Sequence, residues 1–151
     1  MFSKENGILL LLLAPAARGE LRIEITQGVS EAVPIAVVPF GYAGPGRAPM
    51  DVAAVVDGDL ASSGRFAPMD RRDMVSRPTR PDEVRLDDWR LLKTDVVVIG
   101  EVRPADDGRY EVEFHVFDVF RGEPLMGFSL RAPAGNLRGV GHRIADRIFE
   151  R

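Results

Sequence analysis

Three glycines, Gly41, Gly44 and Gly46, stand between a valine-rich run and a helical pattern, where phosphate-binding loops occur. The loop has neither the Lys-Ser/Thr of a nucleotide-triphosphate motif nor the spacing of a dinucleotide fingerprint, and Pro45 and Pro49 remove backbone donors that a phosphate would need. It reads as a turn. His115 and His142 fall in different elements with no second histidine beside either, whereas a metal centre needs three or more converging ligands. Asp57 and Asp59, two apart on a helix, point in different directions; Asp87 and Asp88 are adjacent, one as a helix cap and one as a solvated charge. Paired catalytic carboxylates must converge on one cleft, and these spacings do not bring them together. Ser62 and Ser63 lack the flanking glycines of a nucleophile elbow. With no cysteine, thiolate chemistry and disulfides are excluded. The sequence offers no catalytic constellation, no metal site and no cofactor site, so an enzyme is not expected.

One segment invites a different chemistry. Glu20-Leu21-Arg22-Ile23-Glu24-Ile25-Thr26 alternates polar and apolar residues, which in an extended chain puts Leu21, Ile23 and Ile25 on one face. Such a segment can add as a strand to a partner's sheet edge, with main-chain bonds for affinity and alternate side chains for specificity. It can equally form the first strand of its own sheet. Gln27-Gly28-Val29 and the residues to Pro34 read as a hinge.

Upstream, Ile8 to Leu13 is an aliphatic run followed by small residues. It is far short of the roughly 18–20 residues that span a bilayer. It fits a secretory signal over residues 1–19, with Ala17 and Gly19 at the positions a peptidase reads before Glu20; a cut before Ala17 is the alternative. No membrane insertion is expected after cleavage.

The rest must build the scaffold. At 151 residues, 45% hydrophobic and 28% charged, the chain fits one globular domain. A net charge of −3 gives no footprint for nucleic acid. Strands are predicted over Ile35–Phe40, with Pro39 pointing to an edge or a strand end, over Phe66–Asp70, and over Asp95–Arg103. A hairpin turn at Asp106-Asp107-Gly108 leads to Tyr110–Phe120 and then to Leu125–Arg131. In the second of these hairpin strands Tyr110, Val112, Phe114 and Val116 face one way, and Glu111, Glu113, His115 and Phe117 the other. Helices are predicted over Met50–Ser63, with Pro49 in its first turn and Gly64 ending it, and through Trp89, Leu91 and Leu92, capped by Asp82 or Asp87. A last helix begins at Gly135 or Asn136 and carries Leu137, Val140, Ile144, Ile148 and Phe149 on one stripe. This order predicts an α/β fold: a mixed sheet of about five strands with two to three packed helices in a single domain.

Several of these residues, in order, carry a resemblance. They are Glu20 to Val29, Pro34-Ile35-Ala36-Val37-Val38-Pro39-Phe40, Ala43 to Gly46, Leu60 to Phe66 with Pro68 and Asp70-Arg71, Trp89, Asp95 to Gly100, and Gly139 to Phe149. The series resembles the N-terminal α/β domain of the TolB family of the Tol-Pal system. The resemblance implies a periplasmic protein that supports outer-membrane integrity and cell division by binding partners. It implies that residues 20–33 are a "TolB box" strand and hinge ahead of a domain over 34–151. The box, Glu20, Leu21, Arg22, Ile23, Glu24, Ile25, Thr26, Gln27, Gly28 and Val29, would bind the C-terminal domain of a TolA-like partner. In the family a β-propeller carries the surface for a Pal-like lipoprotein; this sequence stops after its last helix, so Pal binding is not expected of it. The alternatives are an envelope-assembly domain working through its sheet or helix surface, or a non-functional fragment of the family.

Overall fold

Branched aliphatic residues dominate β1 (Val33–Val37) and β4 (Val96–Pro104), as strands covered on both faces require. The structure, a computed structural model, describes residues 31–151. The signal-like run and the alternating segment Glu20–Val29 lie outside the described residues. Residues Ala32–Arg151 form one unit. The chain runs β1, β2 (Gly41–Tyr42), α1 (Val52–Ser63), β3 (Phe66–Pro68), α2 (Leu86–Leu91), β4, β5 (Tyr110–Asp118), β6 (Glu123–Ala132) and α3 (Leu137–Phe149). Short 3₁₀ turns occupy Arg71–Asp73, Pro81–Glu83 and Ala134–Asn136.

The six strands form one mixed sheet in the order β3-β1-β4-β5-β6. β1 lies parallel to both β3 and β4, and β4, β5 and β6 form an antiparallel meander. β2 pairs with Glu101 and Val102 of β4 beyond the stretch that β1 occupies. Pro39 lies between the two short strands and has no N–H to give the ladder, which accounts for the break. The sixth strand, β2, is therefore a short continuation of β1 along β4 past the proline break.

Two helices cover one face. Val52, Val56 and Leu60 of α1 and Leu137, Val140, Ile144 and Ile148 of α3 pack on Ile35, Val37, Val98, Val112, Phe114 and Val116. Helices α1 and α3 approach closely at Gly141, where a Cβ would lie 2.8 Å from the Val55 side chain. On the opposite face Trp89 of α2 packs with Ala36, Val38, Val97, Ile99 and Val119. This second layer covers the β1 and β4 end of the sheet and stops there.

Three local expectations change. Pro49 precedes α1 and is not in its first turn; the N-cap is Asp51, whose carboxylate accepts from the Ala54 N–H at 3.0 Å. Neither Asp82 nor Asp87 caps α2. Arg85 takes the cap position without a side-chain bond, Asp82 belongs to a 3₁₀ turn, and Asp87 sits in the first turn of α2 paired with Arg90. Phe149 departs from the α3 stripe because it sits five residues, not four, past Ile144; it is 38% exposed, with the Arg65 guanidinium 4.7 Å above its ring. Gly64, at φ 77°, ends α1 as expected.

Asp51 holds α1 from two sides. Besides capping Ala54, it accepts from both terminal nitrogens of Arg71, at 2.8 and 2.9 Å. The Arg71 hydrogen bond, with the Ala54 N–H behind it, lowers the Asp51 carboxyl below its ordinary 3.8. A lowered folded-state value means the contribution is complete above about pH 4 and is lost as pH falls through the folded value. Asp51→Ala is expected to cost about 1 kcal/mol, the usual cost of a lost cap. Urea titrations at pH 7 and pH 3 should show the variant and the parent converging at the lower pH.

Candidate functional site

Folding the chain about the Asp106–Gly108 turn sets Glu101 opposite Glu113, Arg103 opposite Glu111, and Ile99 opposite His115. Side chains alternate across a strand, so Glu101, Arg103, Glu111, Glu113 and His115 share the face that α2 leaves uncovered. Arg103 is the hub. It donates to Glu113 Oε1 at 2.8 Å and to Glu101 Oε1 at 3.2 Å, and its Nε lies 3.4 Å from Glu111. His115 Nε2 lies 2.7 Å from the other Glu113 oxygen. The His115 hydrogen bond first, and the Arg103 hydrogen bond next, lower the Glu113 carboxyl below its usual range. The Glu113 bond in turn raises the Arg103 guanidinium.

These side chains are 23–35% exposed, so solvent screens the network and each pair contributes modestly. His115 and Glu113 together make an acid–base dyad, but Glu113 is the only side chain hydrogen-bonded to His115 among the described residues. Among the described residues no group of three or more His, Asp or Glu is placed to hold a metal. The face can present an ordered array of charges to another surface.

The other sequence candidates separate. His142 reaches Asp59 at 2.5 Å and ties α3 to α1 beside a groove of about 360 Å³ lined by Leu60, Ser62, Ser63 and Phe149. Asp57 lies in a different groove with Pro68, Met69, Asp70 and Arg71, so the two α1 carboxylates diverge as their spacing implies. Burial raises the Asp57 carboxyl, against the pull of Arg71. Gly41 joins β2, and Gly44 and Gly46 lie in the loop that follows. Ser63 donates to the Leu60 carbonyl at 2.6 Å, a helix-end contact.

An apolar groove of about 230 Å³ lies at the end of the sheet where β1 begins, among Val33, Phe66, Val96, Leu125, Met126 and Ile148. At the end of β5 Phe120 is 86% exposed, and Leu91 at the end of α2 is 82% exposed. The residues expected to bind a partner, Glu20 to Val29, lie outside the described residues. Sequence reasoning missed the Arg103 network, although the Asp-Asp-Gly turn fixes the register that assembles it.

Residues 21–125 match the family model for the TolB amino-terminal domain. The chain is 44% identical over 154 residues to the Tol-Pal system protein TolB of Nitrosococcus oceani, covering 99% of this chain and 35% of that protein. It is 43% identical over 144 residues to the Tol-Pal system protein TolB of Thioalkalivibrio sulfidiphilus, covering 95% and 33%. It thus spans about a third of the length of these relatives. Among solved structures, TolB from Acinetobacter baumannii superposes with a TM-score of 0.67 at 28% identity, over 80% of this chain and 28% of that one. The LpoB C-terminal domain from Salmonella enterica gives 0.52 at 14% identity, over 76% and 93%, a likeness of fold alone.

Proposed function

The chain belongs to the TolB amino-terminal domain family, and from that premise we propose that it is a periplasmic interaction module of a Tol-Pal-like envelope system. It acts by binding partners and not by catalysis. Residues 1–19 are its export signal, residues 20–29 are presented as a strand to a TolA-like C-terminal domain, and the α/β unit is the platform that carries them. Through that contact it supports outer-membrane integrity and cell division.

The observation that carries this reading is the match to proteins of the Tol-Pal system over nearly the whole chain, alternating segment included. Two further features support it. The alternation of Leu21, Ile23 and Ile25 with charged residues suits strand addition. The charged side chains Glu101, Arg103, Glu111, Glu113 and His115 pair with one another into an ordered array on an open face of the sheet, as a surface that meets partners can.

The test is an NMR titration of residues 20–151 with the TolA C-terminal domain from the same source. Shifts confined to Glu20–Val29 and a few neighbours are expected. A folded sample that shows no shifts would overturn the reading in favour of an assembly domain that works through another surface.

A further inference from the structure

β6 is the longest strand of the sheet, ten residues from Glu123 to Ala132, and among the described residues it pairs with β5 alone. Its outer side is a row of backbone N–H and C=O groups without a strand beside it, which is a template for another chain. Native proteins blunt such edges with charge, proline or bulges. Here Pro124 and the register shift opposite Val116 and Phe117 protect only the start of the strand. The stretch from Met126 to Leu130 is regular.

On the α3 side of that stretch Met126, Phe128 and Leu130 make an alternating apolar stripe, with Phe128 40% exposed. The Arg147 guanidinium lies 4.3 Å from the Phe128 ring centroid. Arg143, one turn back on α3, lines a groove of about 140 Å³ with Leu130, Asp146, Arg147 and Glu150. Among the described residues neither Arg143 nor Arg147 has a carboxylate within ion-pair distance, whereas Arg71, Arg72, Arg80, Arg103 and Arg109 each do. Two guanidinium groups beside an unpaired strand are placed to meet acid from outside.

We propose that the outer edge of β6 accepts an extended, acidic segment of a partner protein as an added antiparallel strand. Its main chain pairs with Met126–Leu130 and continues the meander. On the α3 face the stems of its acidic side chains lie along Met126, Phe128 and Leu130 and their carboxylates meet Arg143 and Arg147, while its alternate, apolar side chains take the opposite face. A second copy of this chain fits less well. Two-fold pairing of β6 with itself, centred anywhere from Met126 to Leu130, sets neighbouring strands about 4.8 Å apart. When that pairing is centred on Phe128, the middle of the regular stretch, it brings Arg147, which lies over Phe128, against its own counterpart, and like charges across a strand pair repel. The proposal does not depend on the role of residues 20–29.

The test uses the full chain and a labelled, capped octapeptide of alternating glutamate and valine, with alternating lysine and valine as its counterpart. Anisotropy should show saturable binding of the glutamate peptide, weakened by salt, and NMR shifts should centre on the amides of residues 126–130. Arg143→Gln with Arg147→Gln should weaken binding at least about tenfold with an unchanged melting curve, both positions being on the solvent side of α3. Equal binding of the lysine peptide, shifts away from β6, or unchanged affinity in the double variant would overturn the proposal. So would self-association in sedimentation accompanied by loss of exchange at the β6 amides.

Discussion

Trp89→Ala should lower the stability of the unit by about 3–5 kcal/mol, the range for deleting a large buried aromatic. That is a large share of the 5–15 kcal/mol that holds a typical domain together. Trp89 is fully buried and is the only aromatic at the centre of the smaller core, among Ala36, Val38, Val97, Ile99 and Val119. Its helix, α2, has six residues, too few to persist in water without tertiary contacts. The indole is thus the anchor that holds the second layer on the sheet. Its Nε1 is buried without a hydrogen-bond partner among the described residues. A buried donor left unpaired costs on the order of 1–3 kcal/mol, so Trp89→Phe, which removes that donor and keeps most of the ring volume, should lose much less than Trp89→Ala. Urea denaturation of the three proteins would separate the effects. Equal losses for Phe and Ala would mean that the indole N–H does hold a partner.

The same core shows what the sequence could and could not reveal. The valine runs of β1 and β4, the proline break at Pro39, the glycine stop at Gly64 and the Leu137–Ile148 stripe all follow from short-range rules, and the structure has each of them. The boundaries that shifted depend on contacts across the chain. Asp51, which caps α1, also accepts from Arg71, twenty residues on, a contact no local pattern shows. Phe149, off the stripe by its spacing, lies at the surface under the Arg65 guanidinium, another contact no local pattern shows. The charged face was within reach of reasoning, since alternation already grouped Glu111, Glu113 and His115, and one hairpin register adds Glu101 and Arg103. What pattern alone did not convey is that α2 covers only part of the sheet and leaves that face open. The apolar stripe beside Arg147 was hidden for a similar reason: only packing shows that α3 passes over the β6 edge.

Ile23→Asp should weaken binding of a TolA-like domain at least about a hundredfold while the melting transition of the α/β unit stays in place. Ile23 is the middle of the three apolar positions in Glu20–Thr26. In strand addition, alternate side chains enter the partner's pockets while the main chain pairs with its edge. Losing a buried isoleucine removes about 2–5 kcal/mol of contact, and every 1.4 kcal/mol is tenfold in affinity. A carboxylate in the same pocket adds the cost of desolvating a charge, so a hundredfold is a lower bound. On the polar face, Glu24→Gln keeps the shape of the side chain and should change affinity only slightly, mostly through its association rate. Deletion of Glu20–Thr26 should abolish binding outright. Among the described residues the two cores draw on residues from Ile35 onward, and neither change is expected to shift the thermal midpoint measured by circular dichroism. If either variant unfolded, the segment would be an integral strand of the protein's own sheet, and a presented recognition strand would no longer describe it. A folded Ile23→Asp variant with undiminished affinity would instead move the partner contact to another surface, the open charged face around Arg103 being the first to examine.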